Sequence, residues 1–350
     1  MDSLYTALSL GLIRNKRIVI STDSPRQTIH HFQHLIVHNL CHYEPNQFAS
    51  IDVLDVLTHK NINELVLSMS SYSKSVYTFK NIVMWRNVSL LSHDHQKQLY
   101  ELLTQIDQYD TNASKWYPTD TVDFRDITVR KPELFSIVLV VEPQYYQNKM
   151  YQYLKEKFWF SVNYPFVSEQ VCLLELSKIR PIPEYQDHIL SLRASWQKVY
   201  VSPDIKKYIY SLIVHMRNHR LSSLAPKQTR LPTRSIDDVA DLTRALVLWQ
   251  NDSEHLYATP DFVKVAIRKI GYWLVDWEYN ELFANSIDSE HDGRRRRLEI
   301  DILSGDWYGS DYDYVNKYIE ESRSKVEKKN PLGHSNRIVD EAIRKVNPPL

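Results

Sequence analysis

Residues 135–141 read FSIVLVV, a stretch in which Ser136 is the single polar residue. A continuous run of β-branched and apolar residues of this length is typical of a strand buried on both faces of a parallel sheet. It is too short to cross a membrane. Similar short runs occur elsewhere in the first half of the chain, and we predict further strands at 17–22 (RIVIST), 50–57, 80–85 (KNIVMW) and 158–162 (FWFSV).

Helical patterns lie between these predicted strands. One covers 94–106, and another covers 27–41, where the apolar residues that share one helical face are Ile29, Phe32, Ile36 and Leu40. Strands that alternate with helices are typical of a sheet covered by helices on both faces. The first half of the chain therefore predicts an α/β fold with a three-layer parallel sheet core.

The pattern changes after 181–183 (PIP), where helical periods replace the short apolar runs. We predict helices at 191–199, 203–219, 235–249 and 260–277, with one more at 312–329. Ser202 before Pro203 and Thr259 before Pro260 are typical residues at helix starts. The chain thus divides into an α/β core (1–185), a helical domain (186–284) and a partly helical C-terminal extension (285–350).

Composition describes a globular chain and indicates no particular partner. The 350 residues include 43 basic and 43 acidic side chains, so the formal net charge is zero. Cys41 and Cys172 lie far apart and form no CxxC motif, which favours a reducing intracellular compartment without disulfides. No cleavage-site pattern or long apolar stretch is present, so we expect a soluble protein that does not enter a membrane.

Three phrases in the helical domain carry a family resemblance: VYVSPDIKKYIYSLIVHMRNHR (199–220), LPTRSIDDVADLTRALVL (231–248) and YATPDFVKVAIRKIGYWL (257–274). In this order they resemble the lid of the MoxR and magnesium-chelatase branch of the AAA+ ATPases. Upstream, 80–103 is similar to the Walker B strand and following helix of that branch, and 133–141 to its sensor-1 strand. The resemblance implies an AAA+-like core followed by a helical lid domain.

The chain departs from this family where the family performs its chemistry. A phosphate-binding loop needs G-x-x-x-x-G-K-[ST], but residues 21–28 contain neither glycine nor lysine and include Asp23 and Arg26. Arg86 stands where Walker B acids would hold a metal, and 138–142 has no sensor-1 asparagine, although Arg234 aligns with the sensor-2 arginine. We therefore expect a pseudo-ATPase without catalytic residues or a cofactor.

The overall layout resembles the fungal family called maintenance of telomere capping protein 2. This resemblance implies an intracellular role, nuclear or cytoplasmic, linked to telomere capping. Our leading hypothesis is a noncatalytic AAA+-like interaction protein that binds a protein partner and contributes to telomere and genome maintenance. A residual nucleotide-binding switch is an alternative, and the sequence predicts no oligomeric state.

The first alternative, ahead of the nucleotide-binding switch, is direct nucleic-acid binding. Residues 205–235 contain no acidic side chain, and Tyr208 and Tyr210 could stack on bases beside the basic side chains. The candidate contacts are Lys206, Lys207, Arg217, Arg220, Lys227 and Arg230. A solvated basic face is the competing interpretation of the same stretch.

The helix predicted at 27–41 also carries a stripe of histidines, His31, His34, His38 and His42, on the face opposite its apolar residues. His34, His38 and Cys41 are weak candidates for zinc ligands. No further ligand is identifiable elsewhere in the sequence, so a polar outer face without a metal is the preferred interpretation.

Overall fold

The computed structural model describes residues 2–73, 76–112, 121–124, 127–142, 150–165, 179, 181–219, 222, 231–250, 256–275 and 336–349. They form two compact units, Met1–Tyr200 with Asp241–Ala258 and Val201–Ala240 with Thr259–Leu350. The division predicted from the sequence, 1–185, 186–284 and 285–350, remains a prediction. The helix predicted at 312–329 lies outside the described residues.

A five-stranded parallel sheet is the centre of the first unit. The described strands of the chain are β1 (Ile18–Ser21), β2 (Phe48–Asp52), β3 (Ser70–Ser73), β4 (Val76–Phe79), β5 (Ile82–Arg86), β6 (Thr121–Phe124), β7 (Ile127–Arg130), β8 (Ser136–Val141) and β9 (Phe160–Asn163). Five of them pair in parallel in the order β2-β5-β8-β1-β9. Every residue of β8, the central strand, is buried. The α/β fold with a parallel sheet is confirmed.

One predicted strand is only half correct. The strand expected at 50–57 ends at Asp52, and residues from Val53 onward are helical. The side chain of Asp52 accepts a hydrogen bond from the backbone N–H of Asp55, at 3.3 Å, and so caps the first turn of that helix. The acidic residue ends the strand although apolar residues continue beyond it.

A second sheet of four short strands was not predicted. Its order is β3-β4-β7-β6, with two antiparallel hairpins joined by a parallel pairing of β4 and β7. Each strand has four residues, and β3 reads SSYS, which lacks the apolar run that identifies buried strands in a sequence.

Helices follow the strands of the first unit as the alternating pattern predicts. They are α1 (Asp2–Arg14), α2 (Pro25–His31), α3 (Val53–His59), α4 (Ile62–Ser68), α5 (His93–Asn112), α6 (Gln152–Lys155) and α7 (Tyr185–Ala194), with 3-10 turns at Pro45–Gln47, Val88–Leu90 and Trp196–Lys198. The helix expected at 191–199 therefore starts earlier and ends at Ala194. Helix α2 continues directly into a π-helix, Phe32–Leu40. Among the described helices, none is long and apolar enough to cross a membrane.

The remaining helices are α8 (Pro203–Arg217), α9 (Ser235–Gln250), α10 (Pro260–Leu274) and α11 (Arg337–Lys345), close to the bounds predicted for the first three. The boundary between the compact units falls inside α9, after Ala240. In the second unit, α11 packs against α8 and α10 and buries Ile338, Val339 and Ala342. The Ser202 side chain caps α8 by accepting from the backbone N–H of Ile205.

Candidate functional site at the carboxyl edge of the parallel sheet

The carboxyl ends of the parallel strands meet at one edge of the sheet and surround a cavity. Its volume is about 510 Å³, and it is lined by Ser24, Pro25, Arg26, Gln27, Asp52, Arg86, Asn87 and Glu142. These residues follow or end β1, β2, β5 and β8. After β1 the chain crosses to β2 at one edge of the sheet, and after β8 it crosses to β9 at the other edge. In open α/β sheets, ligands bind beside the point where the strand order reverses in this way.

The loop after β1 is held by its own hydroxyl groups. The Oγ1 atoms of Thr22 and Thr28 lie 2.8 Å apart and are hydrogen-bonded, and both residues are fully buried. The backbone N–H of Ser24 donates to Thr22 Oγ1 at 3.3 Å, and the N–H of Thr28 donates to the Ser24 carbonyl. When the eight-residue phosphate-loop motif is set on residues 21–28, Thr28 takes the position of its final Ser/Thr, but the Thr28 hydroxyl is hydrogen-bonded to Thr22.

The wall of the cavity at the ends of β2 and β5 carries a network of charged and polar side chains. Arg86 Nε lies 3.4 Å from Asp52 Oδ2, an ion-pair distance, and Asn87 Nδ2 donates to the same oxygen at 2.7 Å. Asn87 adopts the left-handed conformation (φ 62°, ψ 20°), which turns its amide toward Asp52. The Arg86 Nε atom is buried and has no partner with hydrogen-bond geometry among the described residues. The Asp52 carboxylate is therefore already neutralised by the protein.

The structure brings only some of the predicted residues into this site. Arg26 and Arg86 line the cavity, whereas Asp23 is exposed and is not a lining residue. Arg234 belongs to the second unit, where its Nε lies 3.4 Å from Asp238. Asp52 was missed, although an acidic residue inside the predicted strand 50–57 was a signal that the strand ends there.

The prediction that the histidines of 27–41 share a polar outer face is partly wrong. His31 is buried, with Nδ1 2.7 Å from the Gln27 carbonyl, and Cys41 is completely buried, whereas His34 is exposed. The Cys41 N–H bonds to the Ile36 carbonyl five residues earlier, so each π-helical turn takes one more residue than an α-helical turn. This turns Cys41 away from His34, and burial raises the pKa of its thiol. The described residues contain no group of three potential metal ligands.

The basic stretch is only partly described, because Arg220, Lys227 and Arg230 lie outside the described residues. Lys206 and Lys207 are exposed on α8, and Lys207 pairs with Asp204 at 3.1 Å. Arg217 contacts the Thr233 hydroxyl at 3.4 Å. Tyr210 is 57% exposed, but Tyr208 is 3% exposed, so the prediction that Tyr208 stacks on bases is wrong.

Comparison with known proteins supports both predicted resemblances. No family model matches the chain. The protein named maintenance of telomere capping protein 2 from Saccharomyces cerevisiae is 28% identical over 221 residues, which are 58% of this chain and 55% of that protein. Its namesake from Lachancea thermotolerans is 30% identical over 145 residues, 41% of this chain and 44% of the relative. The chain thus spans about half the length of the curated relatives it matches.

A solved structure shows the fold. The crystal structure of a protein from Cytophaga hutchinsonii, described as a candidate ATPase, superposes with a TM-score of 0.55 over all of this chain and 90% of that one, at 14% identity. The chain therefore shares the overall fold of that solved structure and is similar in sequence to the fungal proteins named maintenance of telomere capping protein 2.

Proposed function

We propose that this chain is a noncatalytic AAA+-like protein that contributes to telomere capping by binding a protein partner. The relatives' name supports the telomere-related role, and the AAA+-like fold supports descent from an ATPase. The observation that carries the noncatalytic part is the network of Asp52, Arg86 and Asn87. It occupies the wall of the cavity where an ATPase of this fold would hold metal and phosphate.

The charges of the cavity argue against a bound nucleoside triphosphate. P-loop ATPases stabilise the phosphates with a lysine and with a magnesium ion that a Ser/Thr hydroxyl and an acidic residue hold. Here the Thr28 hydroxyl bonds to Thr22, and no lysine is among the lining residues described. Two basic side chains, Arg26 and Arg86, face two acidic ones, Asp52 and Glu142. The cavity has no net positive charge to attract a polyanion.

Calorimetric titration with ATP and ADP, with and without magnesium, tests this proposal. We expect no saturable heat from the unmodified protein. The Asp52→Asn variant removes the charge that neutralises Arg86, so it should gain weak magnesium-independent binding of both nucleotides. Saturable micromolar binding by the unmodified protein would contradict the proposal and support a nucleotide-dependent switch. Phosphate release above a heat-inactivated control would restore the ATPase interpretation.

Direct nucleic-acid binding through 205–235 is a second candidate function, supported by the exposure of Lys206 and Tyr210 on α8. Its test is retention of single-stranded DNA at increasing salt, because phosphate contacts give a steep salt dependence. The Arg217→Ala variant should lose retention if this function is correct. Equal, weak retention of both proteins would exclude it.

A further inference from the structure

A groove runs along β2, one of the two edge strands of the parallel sheet, and shares Asp52 and Arg86 with the network described above. It has a volume of about 520 Å³, and all five residues of β2 line it. Its other lining residues come from the π-helix, from α3 and α4 and from either end of β5: Gln33, Asp55, Val56, Ser68, Lys80 and Arg86. The groove therefore follows a strand and is walled by helices.

The backbone of β2 is the chemical feature that this groove offers. One side of β2 pairs in parallel with β5, from Phe48 opposite Ile82 to Asp52 opposite Arg86. Within the described part of the chain, no strand pairs with its other side. The N–H of Phe48 donates to the Pro45 carbonyl. The rest of such an edge presents unpaired N–H and C=O groups, and a second extended chain satisfies them best.

The side chains at the centre of β2 leave room for that chain. Ala49 and Ser50 occupy its middle, and Ser50 is exposed, whereas Phe48 and Ile51 are buried. Five residues of strand extend over roughly 16 Å, which matches an extended segment of about five residues. Small residues allow the incoming backbone to approach without displacing the helices on either side.

Charges at the two ends of the groove define the partner further. Lys80 lies at the amino end, next to the start of β5, and no carboxylate among the described residues is within ion-pair distance of it. Asp55 lies at the carboxyl end with a side chain 75% exposed and 3.8 Å from His59. Arg86 and Asp52 neutralise each other. The groove is thus positive at one end and negative at the other.

We propose that the β2 groove binds an extended segment of a protein partner, which adds a strand to the sheet and carries an acidic side chain toward Lys80 and a basic one toward Asp55. Strand addition supplies affinity through main-chain hydrogen bonds, and the end charges select sequence and direction. This inference rests on the proposed function, because it names the surface through which the protein partner is bound.

Two labelled peptides of about ten residues test the inference. Both alternate Thr and Val and carry Glu and Lys four residues apart, with Glu first in one peptide and Lys first in the other. In a third peptide, two central residues are proline, which cannot complete the hydrogen-bond ladder. Binding to the full chain is measured by fluorescence anisotropy, and protection of the 48–52 amides by hydrogen exchange.

We expect one charged peptide to bind, the proline peptide to fail, and exchange of the 48–52 amides to slow at least about tenfold. Ser50→Lys should weaken binding at least about tenfold, because its side chain blocks the groove. Ser211→Lys makes the same change at an exposed serine of α8 and should bind as the unmodified protein does. Similar unfolding midpoints for the two variants exclude a folding defect.

Absence of peptide binding at roughly millimolar concentration, or binding without protection of 48–52, would overturn the inference. Self-association that protects the same amides would assign the groove to a second copy of the chain and overturn it equally. These outcomes are separate from the calorimetric test, since saturable ATP binding refutes the noncatalytic function whatever the peptides do.

Discussion

The contact between Gly271 and Val339 allows a sharp test of how α11 is seated in the second unit. Gly271 lies in α10, and a Cβ added to it would be 2.7 Å from Val339 Cγ2 and 3.3 Å from Cγ1. Val339 belongs to α11 and is completely buried. The backbone of Gly271 is helical, so alanine is compatible with its conformation and the only obstacle is this contact. Gly271→Ala must therefore displace the Val339 side chain or the helix that carries it.

Two effects of opposite sign determine the result. Forcing a methyl group into a packed contact costs about 1–3 kcal/mol, whereas replacing glycine by alanine inside a helix gains about 0.8–1 kcal/mol. We expect Gly271→Ala to destabilise the protein by up to about 2 kcal/mol. In a Val339→Ala background the clash is removed, so the same substitution should stabilise by about 1 kcal/mol. The sign of the effect depends on residue 339.

Urea unfolding of the four proteins of this double-mutant cycle, followed by circular dichroism, measures the coupling between the two positions. Residues in contact give interaction energies of about 0.5–3 kcal/mol, while distant residues are additive. If Gly271→Ala stabilises the protein equally in both backgrounds, α11 is not packed on Gly271. That result would refute the reasoning from the contact distance.

Three further predictions concern polar groups. Asn87→Ala should destabilise the protein by about 1 kcal/mol more than Asn87→Gly in urea unfolding. Both variants lose the hydrogen bond to Asp52, but only alanine is disfavoured in the left-handed backbone conformation of residue 87. Equal effects of the two variants would contradict this prediction. Asp107→Asn should lower the free energy of unfolding by roughly 2 kcal/mol, because Arg17 at 2.7 Å and Lys157 at 2.8 Å lose their counter-charge. An unchanged unfolding midpoint would exclude a stabilising ion pair. Burial lowers the pKa of His219 despite its contact with Glu341, so the free energy of unfolding should fall as pH drops below the ordinary value of 6.5. His219→Gln should reduce this dependence of unfolding free energy on pH between about pH 5 and 7.

Burial outweighs the neighbouring charge in setting the pKa of His219, whereas neighbouring charges outweigh burial in setting the pKa of Asp107. Burial opposes its ionisation, but Arg17 and Lys157 outweigh burial and hold the pKa below the ordinary value of 3.8. The stability that this carboxylate contributes is present above that value and is lost only as pH falls through the lowered folded pKa. The pH dependence between about 5 and 7 therefore reports His219 without interference from Asp107.

The sequence was most informative where burial alone decides structure. The run 135–141 became β8 because β-branched residues buried on both faces have no other stable arrangement in a helix-covered sheet. The second sheet escaped prediction because its strands are short and partly polar, so pairing and not composition defines them. Helix α11 was not predicted although Ile338, Val339 and Ala342 recur at helical spacing, because nine residues give only a short periodic pattern.

Prediction of the site failed for a different reason. Arg86 was identified because it replaces a family residue, but its partner Asp52 is 34 positions away in sequence and becomes adjacent only through the pairing of β2 with β5. The position of Cys41 differs from the prediction because α-helical spacing does not hold across the π-helix Phe32–Leu40. Local sequence does not signal the extra residue per turn of a π-helix. His31 lies in the α-helical part, and its burial follows from neither spacing.

The cavity and the proposed noncatalytic function are consistent with one physical requirement. The carboxyl edge of a parallel sheet exposes polar groups beside an apolar interior, and an active ATPase satisfies them partly with metal and phosphate. In this chain, Asp52 accepts a hydrogen bond from Asn87 and pairs in charge with Arg86, and the hydroxyl groups of Thr22 and Thr28 bond to each other in the loop. A site whose charges are paired internally gains less from binding a polyanion, which is the physical basis of the noncatalytic function that we propose. Among the edge strands of the two sheets, β2 is the one that we propose for a partner, because a groove follows its open side.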